Sequence, residues 1–201
     1  MKLGIIVEGD GEVPAARILV TRLAHYLQSP VHPDPLPPLR VKRNKLVMKA
    51  VLQDAVEFMA RKVGDEGRIL VLLDADDDLP CVLGPQLLDW ACEQRSDRII
   101  SVVVAQCEYE AWFLTAAESL RGQRGLPADL IAPSHPERIR DAKGWLGQRM
   151  PGGYRATIHQ PALTSVFDLE AARRADSFDK LVRDMGMLLG VSVPPRPQQQ
   201  P

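Results

Sequence analysis

The feature that most constrains this chain is a run of five apolar residues, 69–73, that leads directly into four aspartates within the next five positions. A short continuous apolar run is typical of a strand buried on both faces in a parallel sheet. Asp74 and Asp76 are therefore predicted at the carboxyl end of a central strand, where open α/β sheets bind ligands. In extended chain, residues two apart share a face, with α-carbons about 6.5 Å apart. Both carboxylates could then reach one cation.

Such a pair of aspartates has an electrostatic cost. Two like charges about 4 Å apart repel by about 4 kcal/mol at an effective dielectric constant of about 20. Protonation, water or a cation must relieve this repulsion, and carboxylate oxygens favour magnesium, manganese or calcium. A helix–loop–helix calcium site is excluded, because Leu79 stands where glycine is required and Pro85 where glutamate is required. On this stretch alone, a solvated acidic turn remains the alternative.

Two other apolar runs also lead into carboxylates. Residues 3–7 precede Glu8, and residues 99–105 precede Glu108 and Glu110. The carboxyl ends of parallel strands lie on one edge of a sheet, so the acids that follow three strands are expected to form one cluster. The pattern predicts an α/β fold with a doubly wound, mainly parallel sheet of about four strands and helices on both faces.

A short basic segment precedes the central strand. Four cations fall within six residues and lead into a predicted helix: Arg40, Lys42, Arg43 and Lys45. Such a run is either a solvated face or a contact to the phosphate backbone of a nucleic acid beside the acidic cluster. The chain has 25 basic and 26 acidic residues, a net charge of −1. A site for a polyanion must therefore be local, because the chain as a whole does not attract one.

The chain changes character after residue 120. Gly, Pro and polar residues dominate up to residue 136, and helical patterns return at 137–146 and 178–189. We predict an α/β core over residues 1–120 and a C-terminal helical extension packed on it over residues 121–190. Residues 191–201 are rich in Pro and Gln and are predicted to be a disordered tail.

The cysteines and the hydropathy of the chain indicate its cellular compartment. The three cysteines have none of the usual metal-binding spacings and indicate a reducing environment. The apolar run at the start of the chain is too short for a signal peptide, and no run of 18 apolar residues occurs. We expect a cytoplasmic protein that has no membrane partner.

The acidic pattern resembles a known family. Glu8-Gly-x-x-Glu12 after the first strand and Asp74-x-Asp76 after a central strand resemble the TOPRIM domain, which topoisomerases, primases and overcoming-lysogenization-defect nucleases share. Further residues narrow the resemblance to an uncharacterised bacterial family of TOPRIM-related proteins, akin to nuclease-like subunits of phage-defence systems. These residues are Glu108-Tyr-Glu110-Ala-Trp, Lys143, Tyr154, Gln160 and Ser177-Phe178. The resemblance covers about residues 1–190.

The resemblance implies a catalytic site that contains a Mg²⁺ or Mn²⁺ ion. Glu8, with Glu12, would act as a general acid or base or as a metal ligand. Asp74 and Asp76 would hold the ion. The matching residues thus imply a TOPRIM-like, Rossmann-like three-layer fold whose ligands come from two strand ends.

The third acidic segment and a later lysine complete the implied site. Glu110, with Glu108, would complete the coordination shell or hold a second ion. Two ions about 3.5–4 Å apart can stabilise both the attacking and the leaving oxygen of a phosphodiester. Lys143 would neutralise a phosphate; a solvated helix lysine is the alternative.

The sequence leaves three functions open. The first is a divalent-metal-dependent nuclease, acting on DNA in preference to RNA, in phage defence or DNA repair. The second is a non-catalytic metal- or nucleic-acid-binding subunit that works with a separate ATPase partner, since the sequence has no G-K-[ST] motif. The third is hydrolysis or transfer on a nucleotide-like small molecule, which a deep pocket over Asp74 would favour. A homodimer is also left open.

Overall fold

The computed structural model describes residues 1–197, in which five strands form one parallel sheet. The strands are β1 (Lys2–Val7), β2 (Asp34–Pro35), β3 (Leu39–Arg40), β4 (Arg68–Asp74) and β5 (Ile100–Ala105). β4 lies between β1 and β5, while the short β2 and β3 both pair with the other edge of β1. The predicted α/β class and mainly parallel sheet are confirmed. The sheet has five strands rather than about four because two-residue strands leave no apolar run to recognise.

Helices surround the sheet, and the last of them ends at Leu189. They are α1 (Glu12–Tyr26), α2 (Arg43–Leu46), α3 (Lys49–Val63), α4 (Pro80–Gln94), α5 (Ala111–Thr115), α6 (Ala142–Gly147), α7 (Ala156–Thr164), α8 (Leu169–Ala172) and α9 (Asp176–Leu189). Short 3₁₀ turns cover Ala117–Leu120, Gln123–Gly125 and Pro136–Arg138. Within the described residues, no helix is both long enough and apolar enough to cross a bilayer.

Both faces of the central strand β4 are covered by helices, which explains its continuous apolar run. Leu70 and Leu72 belong to the core beneath α1 and α9, whereas Ile69, Val71 and Leu73 belong to the core beneath α3 and α4. Successive residues of a strand point to opposite faces, so a sheet covered on both sides needs apolar residues at every position. The result is three layers, with the sheet in the middle.

The hydrophobic core is continuous across residue 120. Phe113, in α5, packs against Phe167 with ring centroids 5.3 Å apart, and Phe167 packs against Phe178, in α9, at 5.6 Å. These rings share one core with α1 and with β1, β4 and β5. The helical extension therefore completes one face of the sheet, and its residues can reach the carboxyl edge.

Part of the predicted tail is held against the extension. Residues 191–197 have no helix or strand, but the Arg173 guanidinium donates hydrogen bonds to the carbonyls of Pro194 and Pro195, at 3.0 and 3.1 Å. Arg196 in turn donates to the carbonyls of Arg173 and Arg174, at 2.8 and 2.7 Å. The rest of the predicted tail, residues 198–201, lies outside the described residues.

Gly11, directly before α1, is a point of close approach between α1 and α7. A β-carbon there would overlap the side-chain oxygen of Gln160 and lie 2.8 Å from the carbonyl atoms of Ala156. We expect Gly11→Ala to lower the free energy of unfolding by about 1–3 kcal/mol, because backbone atoms must move, and urea denaturation measures this. A β-carbon at Gly152 meets nothing within 4 Å, so Gly152→Ala is the matched control. Equal stability of the two variants would contradict the close contact.

Candidate metal site at the carboxyl edge of the sheet

Three carboxylates from three elements share one pocket. Glu8 directly follows β1, Glu12 is the first residue of α1, and Asp74 is the last residue of β4. Oxygen atoms of the three side chains all lie within 4.8 Å of one another. Glu12 and Asp74 are each only 4% exposed, and Glu8 is half-buried. We call this group the carboxylate pocket.

Backbone N–H groups hold these carboxylates in place. The Glu12 carboxylate accepts hydrogen bonds from the N–H groups of Glu8 and Gly9, at 3.1 and 3.4 Å. The N–H of Asp74 donates to Glu8 Oε2 at 3.3 Å, and the N–H of Tyr109 donates to Asp74 Oδ1 at 2.7 Å. The oxygen positions are therefore set by the ends of β1 and β4 and by the loop after β5.

Glu108, Glu110 and Lys143 form a second group beside the first. Lys143 Nζ lies 2.9 Å from Glu108 Oε1, 3.2 Å from Glu110 Oε2 and 3.5 Å from Asp74 Oδ2. The Tyr154 hydroxyl donates to Glu110 Oε1 at 2.8 Å. Glu110 is fully buried, and within the described residues its Oε2 has the Lys143 ion pair but no hydrogen bond of good geometry.

Burial shifts the protonation equilibria of the carboxylate pocket. Desolvation raises the pKa of Glu8 to about 7 and, with repulsion from Glu8, that of Glu12 to about 8. Desolvation and repulsion from Glu12 also raise the pKa of Asp74, and desolvation raises that of Glu110. Burial would lower the pKa of Lys143, but Glu110, Asp74 and Glu108 outweigh it and raise that pKa. The pocket and its neighbour Glu110 thus contain more buried carboxyl groups than Lys143 can keep ionised near neutral pH.

Asp76 does not join the carboxylate pocket. Its φ of 51° lies in the left-handed region, so the extended geometry that would place it beside Asp74 ends with β4. Its carboxylate instead lies 3.1 Å from Arg43 Nε, and its side chain is 58% exposed. Asp78 also pairs with Arg43, and Asp77 pairs with Arg140 at 2.6 Å. Asp74 and Asp76 thus have different partners in this structure, and their binding of one shared cation stays a prediction.

The basic segment divides into structural and exposed cations. The Arg43 guanidinium donates to the carbonyl oxygens of Asp74 and Ala75, at 2.9 and 2.8 Å, and so fixes the turn after β4. Arg40 pairs with Asp10 at 2.9 Å. Lys42 and Lys45 are exposed, and among residues 1–197 no carboxylate lies within ion-pair distance of either of them.

Sequence reasoning missed three contributors to the site. The N–H of Tyr109 contacts Asp74, and its position between two glutamates was the available signal. The Tyr154 hydroxyl donates to Glu110, although the sequence named this residue only as part of the family resemblance. Arg140 carried no signal, yet with Arg138 and Asp77 it lines a neighbouring cleft of about 440 Å³. That cleft lies beside the turn after β4 rather than over Asp74.

Together these features define a class: a doubly wound α/β protein with buried carboxylates at the carboxyl edge of its parallel sheet. The chain belongs to the DUF4276 family, a domain of unknown function, whose model matches residues 7–186. The match begins at the end of β1 and extends into α9, so it includes the carboxylate pocket and Lys143. It confirms the expectation of an uncharacterised family, while the relationship to TOPRIM stays a prediction.

One curated protein shares a shorter segment. The chain is 30% identical over 111 residues to a phosphoglucosamine mutase of Oceanobacillus iheyensis, covering 50% of this chain and 24% of the mutase. The chain therefore spans about a quarter of the length of that enzyme. No solved structure matches the chain.

Proposed function

We propose that this protein is a divalent-metal-dependent phosphodiester hydrolase of TOPRIM type, which uses Mg²⁺ or Mn²⁺ to cleave nucleic acid. The observation that carries the proposal is the convergence of the Glu8, Glu12 and Asp74 oxygens within 4.8 Å. Three carboxylates at this spacing in a largely buried pocket repel one another, and a divalent cation relieves that repulsion. The oxygen donors are those that Mg²⁺ and Mn²⁺ prefer.

Each pocket residue has a distinct part in this proposal. Glu12 and Asp74, fixed by backbone N–H groups, would hold the ion together with Glu8. In the metal-free pocket Glu8 takes up and releases a proton near neutral pH, because burial raises its pKa to about 7, and a bound ion would displace that proton. When bound, the ion would supply positive charge to the phosphodiester oxygens and acidify a water molecule.

The proposal that the substrate is a nucleic acid rests on two exposed lysines. Lys42 directly precedes α2 and Lys45 lies within it, and the first residue of this helix, Arg43, contacts the carbonyl of Asp74. They are therefore at the same edge of the sheet as the carboxylate pocket and free to contact phosphates. We propose a DNA substrate in preference to RNA, a role in phage defence or DNA repair, and a cytoplasmic location.

The alternative is a binding subunit that cuts only with a separate ATPase partner, or not at all. What favours it is Lys143, which lies within 3.5 Å of Asp74, Glu108 and Glu110. The Lys143 ammonium neutralises part of the negative charge of these carboxylates. The buried acids could therefore be stable in a protein that has no catalytic activity. A homodimer is compatible with either version.

A cleavage assay separates the two versions. The purified chain is incubated with end-labelled single- and double-stranded DNA and RNA, with Mg²⁺, with Mn²⁺ or with a chelator. The hydrolase proposal expects cleavage with either ion and none with the chelator. Manganese binding without cleavage, and cleavage that begins only when an ATPase partner is added, would favour the binding subunit. Absence of manganese binding, of nucleic-acid binding and of cleavage would contradict both versions.

The exposed lysines give a prediction on DNA affinity. We expect Lys42→Ala/Lys45→Ala to reduce the slope of log K against log salt concentration by about 2, since each lost phosphate contact releases about one counterion fewer. Fluorescence anisotropy with labelled duplex DNA at several salt concentrations measures the slope. The control is Arg61→Ala/Lys62→Ala, which removes two charges from the far end of α3. An equal change in both double variants would indicate general charge loss rather than a DNA-binding surface.

A further inference from the structure

The carboxylate pocket has a neighbouring position that already contains a positive charge. Asp74 Oδ2, Glu108 Oε1 and Glu110 Oε2 converge on Lys143 Nζ, at 3.5, 2.9 and 3.2 Å. Asp74 belongs to both groups, since its carboxylate also lies within 4.8 Å of those of Glu8 and Glu12. The two cation positions thus share one aspartate, as neighbouring ions in a two-ion site share a ligand.

We propose that the Lys143 ammonium occupies the second cation position, so that the protein binds one divalent ion rather than two. The inference rests on the proposed function, because it takes the carboxylate pocket as the site of the first ion. It decides a point that the sequence left open, namely whether Glu108 and Glu110 hold a second metal. In this arrangement they hold a lysine instead.

The surroundings of Lys143 keep its ammonium in that position. The main-chain N–H of Lys143 donates to Glu108 Oε2 at 3.1 Å, while Nζ donates to Glu108 Oε1 at 2.9 Å. Glu108 therefore accepts hydrogen bonds from both the main-chain N–H and the side-chain ammonium of Lys143. On the other side, the Tyr154 hydroxyl fixes Glu110 Oε1 at 2.8 Å. The ligand oxygens are arranged around Nζ and do not depend on a metal for their orientation.

A second metal ion could enter only if the ammonium left. Mg²⁺ binds carboxylate oxygens at about 2.0–2.1 Å, and an ion at that distance from Glu108 Oε1 and Glu110 Oε2 would overlap Nζ. Removing the ammonium without replacing it would leave Glu110 Oε2, which is buried and has no other donor among residues 1–197, facing Asp74 and Glu108. Loss of Lys143 should therefore create a vacancy for a divalent ion.

Metal counting tests this inference directly. Bound Mn²⁺ per chain is measured by equilibrium dialysis and by electron paramagnetic resonance for the unmodified protein, Lys143→Met and Lys143→Met/Glu110→Gln. We expect one ion in the unmodified protein, one more in Lys143→Met, and a return to the unmodified count in the double variant. Lys143→Gln retains an N–H donor toward Glu108 and serves as a second single variant if the methionine variant does not fold.

The outcomes separate this inference from the proposed function. If neither Lys143→Met nor Lys143→Gln binds more Mn²⁺ than the unmodified protein, or if the unmodified protein already binds two ions, the inference is overturned. If the unmodified protein binds no ion while Lys143→Met binds one, the lysine still occupies a cation position, but the proposed metal site at Glu8, Glu12 and Asp74 fails.

Discussion

Asp74→Asn is expected to abolish metal-dependent cleavage and to weaken Mn²⁺ binding by at least about 100-fold. Loss of a residue that only supports a metal ligand already costs about 10–100-fold in affinity, and loss of the ligand itself should cost more. Asp74 has this effect because its carboxylate lies both in the pocket with Glu8 and Glu12 and beside Lys143. An asparagine has similar shape but no charge, so the change removes a ligand without removing volume. Cleavage of labelled DNA and Mn²⁺ titration measure the two losses.

The fold should survive this substitution. An asparagine at position 74 keeps Oδ1, which accepts the hydrogen bond from the N–H of Tyr109 at 2.7 Å. The substitution also removes a carboxylate whose pKa is raised by burial, and a neutral amide is cheaper to bury. The amide nitrogen would replace an oxygen that pairs with Lys143 Nζ at 3.5 Å, so thermal unfolding followed by circular dichroism should show a cooperative transition rather than a raised midpoint.

A neighbouring aspartate provides the matched control for Asp74→Asn. Asp77 is 76% exposed and pairs with Arg140 at 2.6 Å, outside the carboxylate pocket. Asp77→Asn makes the same chemical change three residues later, and we expect it to retain the cleavage activity of the unmodified protein. Undiminished cleavage in Asp74→Asn would exclude this pocket as the active site. Equal losses in both variants would show that the loss is not specific to this pocket.

The stability of the metal-free protein is expected to fall as the pH rises from about 4.5 to about 8. Burial raises the pKa of Glu8 from 4.5 to about 7 and that of Glu12 to about 8. In this window the folded protein binds more protons than the unfolded chain, whose glutamates are already ionised. The slope of the unfolding free energy against pH is therefore negative there, and the stabilisation present at lower pH is lost as both groups ionise.

Metal binding should show the opposite dependence on pH. A divalent ion competes with the protons on Glu8 and Glu12, so its apparent affinity should rise by up to about tenfold per pH unit for each proton displaced. Mn²⁺ should raise the unfolding midpoint little at about pH 5 and most above about pH 8, where the repulsion between the carboxylates is greatest.

Thermal unfolding with and without Mn²⁺ across this pH range tests both statements. Glu12→Gln is the informative variant, because it removes one of the carboxyl groups whose pKa is raised and should flatten the pH dependence of the metal-free protein. An unfolding midpoint that rises with pH in the absence of metal would show that Glu8 and Glu12 are ionised throughout. The electrostatic account of the carboxylate pocket would then be wrong.

Much of the fold could be read from local sequence patterns. The apolar runs before Glu8, Asp74 and Glu108 correspond to β1, β4 and β5, because a strand covered on both faces needs apolar residues at every position. The short β2 and β3 could not be predicted, since each is two residues long and exists only through its pairing with β1. The sequence predicted that the extension packs on the α/β core, but it did not show that the two share one hydrophobic core, because this depends on which helix faces meet.

The position of the candidate site could be predicted from the sequence, but not which residues belong to it. The sequence correctly indicated that acids emerge where three neighbouring strands end, and the register, with Val7 opposite Leu72 and Asp74 opposite Ala105, brings those ends together. It did not indicate that Asp76 turns away toward Arg43. The cause is a left-handed backbone at that residue, which Arg43 stabilises from another part of the chain.

The sequence by itself determined that this protein has a parallel sheet and that negative charge collects at its carboxyl edge, because strand formation and side-chain alternation are set over a few neighbouring residues. Only the tertiary structure decided which carboxylates face one another and that Lys143 lies among them. Those contacts depend on backbone turns after each strand and on side chains that the chain brings back from the helical extension. Distances of a few ångströms between such remote residues follow from packing and are not encoded in any local pattern.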